Sequence, residues 1–459
     1  MTRLSSRVLA RQAEAHHQPM PSIARSAPIS ATATYRPDAD RTIKRLSREQ
    51  RLHEAVLLSF SETVVSHIEL LLPHISPAEW RRLLNWLDAS GLALYFLDRL
   101  SQLELRDALP KTAIERLQQN LHNNAKRTRG MIEESVAIQR DFQAAGLSYA
   151  VVKGLSLSPG SVPRPELRHQ FDLDYLVAEK SAPEARSILE RRGYRLRAFK
   201  RKTWEFKINE TPYVSVKDLY KDLPYRSVEL HLEAEADTHG QDSRLDRTTT
   251  RKMFGINMPV LSPVDIFRGQ AMHLFKDVCC GTSRTAHLLE FYRHVLSRRD
   301  DDAFWRELRA QAEGDRGTCI GMGVATYLVT SIMGDFAPDA LTVWTAEVLP
   351  PSVRLWVDRY GRHTIFGNHP GTKFYLLLQK ELERARISGG TVVKKALWPS
   401  RLPPVVIRGS SGEPFSTRIA RYRVQVRFVF ERFRFHLVEG VRYTLESYRW
   451  RQHLDRLSS

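Results

Sequence analysis

The sequence predicts an α+β fold in which a strand-rich segment, residues 147–260, sits between helical regions. Three observations predict it. Apolar residues recur at three- and four-residue steps over residues 46–146. The period then shortens to two, in brief runs separated by Gly and Pro. From Ser262 the helical period returns.

Taken in order, Val56, Leu57, Phe60, Val64, Ile68 and Leu71 trace one apolar helical face. Ser76-Pro77-Ala78-Glu79 opens the next helix: an N-cap serine, proline at the first helical position and glutamate at N3. Trp80, Leu83, Leu84 and Leu87 continue it before Gly91. A longer helix is predicted over residues 110–145, stopped by Gly146. None of these helices carries a convergent polar set. Strands are predicted over 147–152, 171–177, 194–199, 204–209, 213–219 and 227–232, with a helix over 183–192 and a turn at Thr211-Pro212. Ser262-Pro263-Val264-Asp265 repeats the capping pattern, and helices follow over 304–308, 321–333 and 351–360. Residues 403–414 are Pro-, Gly- and Ser-rich, as a linker is. Beyond them, Ile419, Tyr422, Val426, Phe430, Phe433 and Leu437 favour a basic amphipathic helix, although Val424, Val426, Phe428 and Phe430 also alternate as in a strand. Its apolar face is expected to pack on the body of the protein rather than on a membrane surface.

A chain of 459 residues is too long for one small domain. The expected divisions are a disordered extension over 1–45, a helical region over 46–146, the α/β core over 147–260, a helical domain over 261–402, and a linker with a basic tail over 403–459. The net charge of +18 favours anionic partners, or reflects a bias toward arginine in the source genome. Cys279, Cys280 and Cys319 make a poor disulfide framework, so a reducing compartment, the cytoplasm, is expected. His273, Cys279, Cys280 and His287 crowd one segment but lack the pair spacings of a zinc site. No apolar run is long enough to span a membrane. The first 35 residues, rich in Arg, Ser and Ala, read as an extension in preference to a targeting segment.

The chemistry concentrates in the middle of the chain. Residues two apart on a strand share a face, so Asp172 and Asp174 stand side by side while Leu173 and Tyr175 point the other way. Adjacent carboxylates repel unless a proton or cation intervenes, and Mg2+ is a usual remedy. Glu229 lies in a similar apolar strand with His231 as its same-face neighbour. Two readings stand: the pair faces solvent from an edge strand, or Glu229 is a third metal ligand with His231 holding it or meeting substrate. Gly-x-Gly-x-x-Gly and P-loop patterns are absent.

The order Val151-Val152-Lys153-Gly154, Arg168-x-x-x-Asp172-x-Asp174-Tyr175-Leu176-Val177, Gly193-Tyr194 and Val228-Glu229-Leu230-His231 resembles the largely uncharacterised bacterial nucleotidyltransferase family. The resemblance covers about residues 50–300. It implies a polymerase-β-like nucleotidyltransferase domain with a short mixed sheet, using two Mg2+ ions to move a nucleoside monophosphate from an NTP to an acceptor. Asp172, Asp174 and Glu229 would be the catalytic metal ligands. Lys153, Gly154, Ser156, Arg168 and His231 would line the nucleotide site, with Gly154 admitting the triphosphate, Lys153 neutralising it, and Arg168 contacting phosphate or bracing Asp172. Arg168 also reads as a surface arginine in a loop. Two departures stand out: Leu155 follows Gly154 where the wider superfamily has serine, and the third acid is glutamate where the family has aspartate. They leave open a second function, a binding or scaffold protein for a peptide, carrier or other anionic partner. Nucleic-acid binding is a third, which no aromatic-interleaved basic motif demands.

Overall fold

Side-chain caps start the helices at their sequence signals. Ser47 and Ser76 each accept a hydrogen bond from the N–H three residues on, and the Gln50 and Glu79 side chains accept one from the cap N–H. Ser262 accepts from the Asp265 N–H at 3.1 Å in the same way. The computed structural model describes residues 46–61, 66–200, 202–208, 219–220, 226–234, 243–281, 284–368, 370–387, 397–398 and 412–458. The expected extension, the turn at Thr211-Pro212, most of the strand over 213–219 and most of the linker lie outside them.

The first five helices among the described residues are α1 (Arg48–Leu58), α2 (Ser66–Leu71), α3 (Pro77–Ser90), α4 (Ala93–Gln102) and α5 (Lys111–Ala144). The periodic run from Val56 to Leu71 is thus divided between two helices, not one. Strands β1 (Tyr149–Val152) and β2 (Asp172–Ala178) follow, then α6 (Ala182–Arg191), β3 (Arg195–Lys200), β4 (Thr203–Ile208) and β5 (Arg226–Glu233). A hairpin of β6 (Thr249–Met253) and β7 (Ile256–Val260) closes the segment. The remaining helices are α7 (Pro263–Cys280), α8 (Thr285–Ser297), α9 (Asp302–Ala312), α10 (Arg316–Met333), α11 (Asp339–Thr342), α12 (Pro351–Trp356), α13 (Arg362–Ile365), α14 (Tyr375–Arg384) and α15 (Phe415–Ser458).

The strands form one mixed sheet in the order β3-β4-β5-β2-β1-β7-β6. Seven strands make it larger than the short sheet expected, because the β6–β7 hairpin extends it beyond β1. That hairpin turns at Phe254 and Gly255, both with positive φ, the conformation that tight two-residue turns require. β2 lies at the centre, antiparallel to β1 and parallel to β5.

Two hydrophobic clusters hold the described residues together. One lies between the sheet, α5 and α6, and includes Phe142, Tyr175, Ile188 and Phe206. The other is mainly helical and joins residues 52–117 with residues 264–382, taking in Leu167, Leu219, Tyr220, Tyr443 and Trp450 as well. The two expected helical regions therefore share a single core. Trp305 and Trp356 are fully buried there, each side chain removing about 150–250 Å² from water.

Candidate active site

Packing on one face of β2 dictates what stands on the other. Tyr175 is fully buried against Phe142 in an edge-to-face contact of 5.5 Å, and its hydroxyl meets the Ser135 hydroxyl at 2.9 Å. Leu173 is buried on the same side. Strand alternation then turns Asp172 and Asp174 to the opposite face. In the ladder Asp174 sits beside Val152 of β1 and Glu229 of β5, and Leu176 sits beside His231. β5 is bonded to β2 on one side and β4 on the other, so Glu229 and His231 do not lie on an edge strand.

The groups converge closely. His231 Nε2 is 2.9 Å from Asp174 Oδ1 and 3.5 Å from Glu229 Oε2. Ligand atoms of Asp174, Glu229 and His231 all lie within 4.8 Å of one another. Lys153 points into the same space, with its Nζ 2.7 Å from Asp174 Oδ1, 3.1 Å from His231 Nε2 and 3.8 Å from Glu229 Oε2. Asp172 stands one step along the face, outside this closest set.

The charges respond to one another. Burial, reinforced by Asp174 and Glu229 and opposed by Lys153, pushes the Asp172 carboxyl up to about 6. Burial works the same way on Asp174, but the bond from His231 and the Lys153 ammonium overcome it and hold this carboxyl below its ordinary value. Lys153 is pulled down by burial, yet Asp174, Glu229 and Asp172 outweigh that and raise it. The cluster is thus two carboxylates around one ammonium, with a third carboxyl that resists ionising.

The other predicted residues take different parts. Lys153 and Gly154 both have positive φ, +54° and +28°, at the turn out of β1. A Cβ on Gly154 would lie 2.2 Å from Gln170 Nε2, and that amide donates to the Asp172 carbonyl at 2.7 Å. The glycine therefore makes room for a side chain that steadies β2. The buried Ser156 donates its hydroxyl to the Lys153 carbonyl at 2.7 Å, closing the turn. Arg168 is mostly buried; its Nε donates to Glu290 at 3.0 Å, Glu290 also accepts from Tyr95 at 2.9 Å, and the Arg168 charge opposes the rise of the Asp172 pKa.

A cavity of about 340 Å³ opens beside the cluster, lined by Lys153, Arg168, His231, Arg244, His273 and Lys276 among others. Its charged lining is Lys153, Arg168, Arg244 and Lys276 against Asp265 and Glu290, an excess of cations that suits an anionic ligand. On the cavity wall His273 and Asp277, one turn apart on α7, meet His287 of α8: Asp277 Oδ2 is 2.7 Å from His287 Nδ1 and Oδ1 is 3.8 Å from His273 Nε2. Burial lowers both histidines to about 3, so they are neutral. Asp277, not Cys279 or Cys280, joins the two histidines, and the His273–Asp277 spacing of four was the signal for it in the sequence. Cys279 is instead buried in the helical core.

A family profile described as "Uncharacterised nucleotidyltransferase" matches residues 76–318, more than half of the chain. The chain belongs to that family. No curated protein matches it. The nucleotidyltransferase match begins at the Ser76 cap, takes in the whole sheet, and ends within α10, so it includes every residue of the acid cluster and both walls of the cavity. Helix α15 lies beyond it.

The acid cluster fits a hard divalent cation. Asp174 and Glu229 offer carboxylate oxygens within one coordination sphere, and Asp172, whose pKa is raised by burial first and by Asp174 and Glu229 after it, adds another on the same face. Lys153 competes for the same oxygen of Asp174, so an ion there must displace its ammonium.

Proposed function

We propose that the protein is a Mg2+-dependent nucleotidyltransferase of polymerase-β-like fold, moving a nucleoside monophosphate from an NTP to an acceptor hydroxyl. The observation that carries this reading is the convergence of Asp174, Glu229 and His231, with Asp172 beside them, in a chain of the nucleotidyltransferase family. Asp172 and Asp174 would hold two Mg2+ ions and Glu229 one of them. The ions would supply charge neutralisation and lower the pKa of the acceptor hydroxyl.

In this reading the acceptor hydroxyl gives its proton to solvent as its oxygen bonds to the α-phosphorus, the bond from that phosphorus to the α–β bridging oxygen breaks, and pyrophosphate leaves with the electron pair. His231 braces Asp174 through Nε2. Lys153 leaves Asp174 for the phosphates, where Arg168, already anchored by Glu290, adds fixed positive charge beside the cavity. Following label from an α-labelled NTP into candidate acceptors, with and without Mg2+, tests the proposal. Transfer by the wild type and none by Asp172→Ala/Asp174→Ala is expected; equal labelling by both would sink it.

A second reading rests on Lys153. Its ammonium already neutralises Asp174 and approaches Glu229, and the third acid is a glutamate, so the fold can serve as a binding or scaffold protein for an anionic partner without turnover. Calorimetry with Mg2+–NTP separates the two, since binding accompanied by pyrophosphate release belongs only to the enzyme.

A further inference from the structure

Helix α15 presents two faces. The inner one is anchored to the body: Glu439, Tyr443, Glu446 and Trp450 are buried, Trp450 Nε1 donates to Glu381 at 3.1 Å, and the Tyr360 hydroxyl donates to Glu446 at 3.2 Å. The outer face contradicts the expectation that its apolar residues pack inward. Phe415, Ile419, Tyr422, Val426, Phe430 and Phe433 begin a stripe that continues in steps of three and four to Tyr448, and its members are 37% to 74% exposed.

We propose that this stripe seats the protein on an anionic lipid surface. Charge is the first argument. Nine of the ten arginines of α15 are exposed, against two exposed acids, Glu431 and Asp455; the buried Glu439 and Glu446 pair with Arg442 and Arg449, and Glu431 with Arg427. At about 100° per residue, Arg423, Arg427 and Arg434 border the stripe on one side and Arg418 on the other. An apolar stripe with arginine margins matches the boundary between acyl chains and acidic headgroups.

Geometry is the second argument. From Phe415 to Tyr448 the stripe advances in nine steps, about 3.7 residues per turn, close to the period of a straight helix. It therefore runs nearly parallel to the axis for about 50 Å, as contact with a plane requires. A left-handed pairing with a second copy needs a period near 3.5, and would also bring two sets of arginines together. The helix lies along such a surface; no described helix is long and apolar enough to cross a membrane.

Co-sedimentation of the full-length protein with vesicles tests this. The protein is expected to pellet with phosphatidylglycerol–phosphatidylcholine vesicles and to stay in solution with phosphatidylcholine alone. Phe430→Glu/Phe433→Glu should weaken partitioning by about tenfold or more. Arg423→Gln/Arg427→Gln/Arg434→Gln should weaken it by roughly a hundredfold, as should raised salt. All these positions are exposed, so both variants should keep the circular dichroism and unfolding midpoint of the wild type. Equal pelleting with neutral lipid, wild-type partitioning by the Phe430/Phe433 variant, or a lipid-free dimer that this variant dissociates would each overturn the proposal. So would an engineered thiol at Phe430→Cys that resists labelling in lipid-free protein, because the stripe would then be covered by the chain itself.

Discussion

Gly154→Ala is the sharpest test of how the turn before β2 supports the acids. The added Cβ would fall 2.2 Å from Gln170 Nε2, so the Gln170 side chain must swing away and release the Asp172 carbonyl. Losing that hydrogen bond costs about 1 kcal/mol, and alanine at the φ of +28° costs about 1–2 kcal/mol more. The single substitution should therefore destabilise by about 2–3 kcal/mol. Gln170→Ala alone should cost about 1 kcal/mol. The double variant should cost less than the two singles combined, by about 1 kcal/mol, since the hydrogen bond can be lost only once. Urea unfolding of all four proteins measures the cycle. Strict additivity, or a Gly154→Ala variant as stable as wild type, would refute the steric account of this glycine.

Other expectations follow from the charges. In metal-free protein the raised Asp172 pKa is a liability that grows as pH rises from 3.8 to about 6 and levels off above that, so Asp172→Asn should be more stable than wild type by about 1–3 kcal/mol at pH 8. Chemical unfolding with a chelator at pH 5 and pH 8 should show that gap opening with pH; a constant gap would contradict it. Lys153→Met leaves Asp174 without its ammonium and should cost about 3–5 kcal/mol, recovered in part by added Mg2+. Thermal unfolding with and without the ion reads this, and a variant indifferent to Mg2+ would count against the metal site. His53 is stacked on Trp86 and bonded to the Phe366 carbonyl at 2.9 Å, and burial lowers it to about 4. Folded, it stays neutral where the unfolded chain would be protonated. Stability is thus lost as pH falls from 6.5 toward 4, at about 1.4 kcal/mol per pH unit, and His53→Asn should reduce the slope by that amount.

Strand alternation made the acids legible in the sequence. Leu173 and Tyr175 needed an apolar layer, so Asp172 and Asp174 had to face the other way, and Val228, Leu230 and Leu232 set Glu229 and His231 by the same rule. The identity of their neighbours was not legible. Which strands flank β2 depends on pairings distant in the chain, and so does the placing of Lys153 between Asp174 and Glu229. Gln170 and Glu290 escaped notice because one acts on a backbone carbonyl and the other pairs with an arginine 122 residues away. The β6–β7 hairpin was missed because Thr249-Thr250-Arg251-Lys252-Met253 lacks apolar alternation and Phe254-Gly255 is not a common hairpin turn pair. For α15, periodicity predicted a helix and located its stripe but could not say what covers it, and the body packs against the other side.

Lys153 makes the acid cluster behave as an exchange rather than an open socket. In the proposed function a bare divalent ion arriving there would have to expel an ammonium whose next carboxylate, Glu229 at 3.8 Å, belongs to the same cluster. An ion that arrives with a polyphosphate brings the replacement partner along. Metal and nucleotide should then each tighten the other's binding, by the same factor in both directions. In the proposed function, a side chain that neutralises the cluster at rest would thereby make it selective for the complex over either component alone.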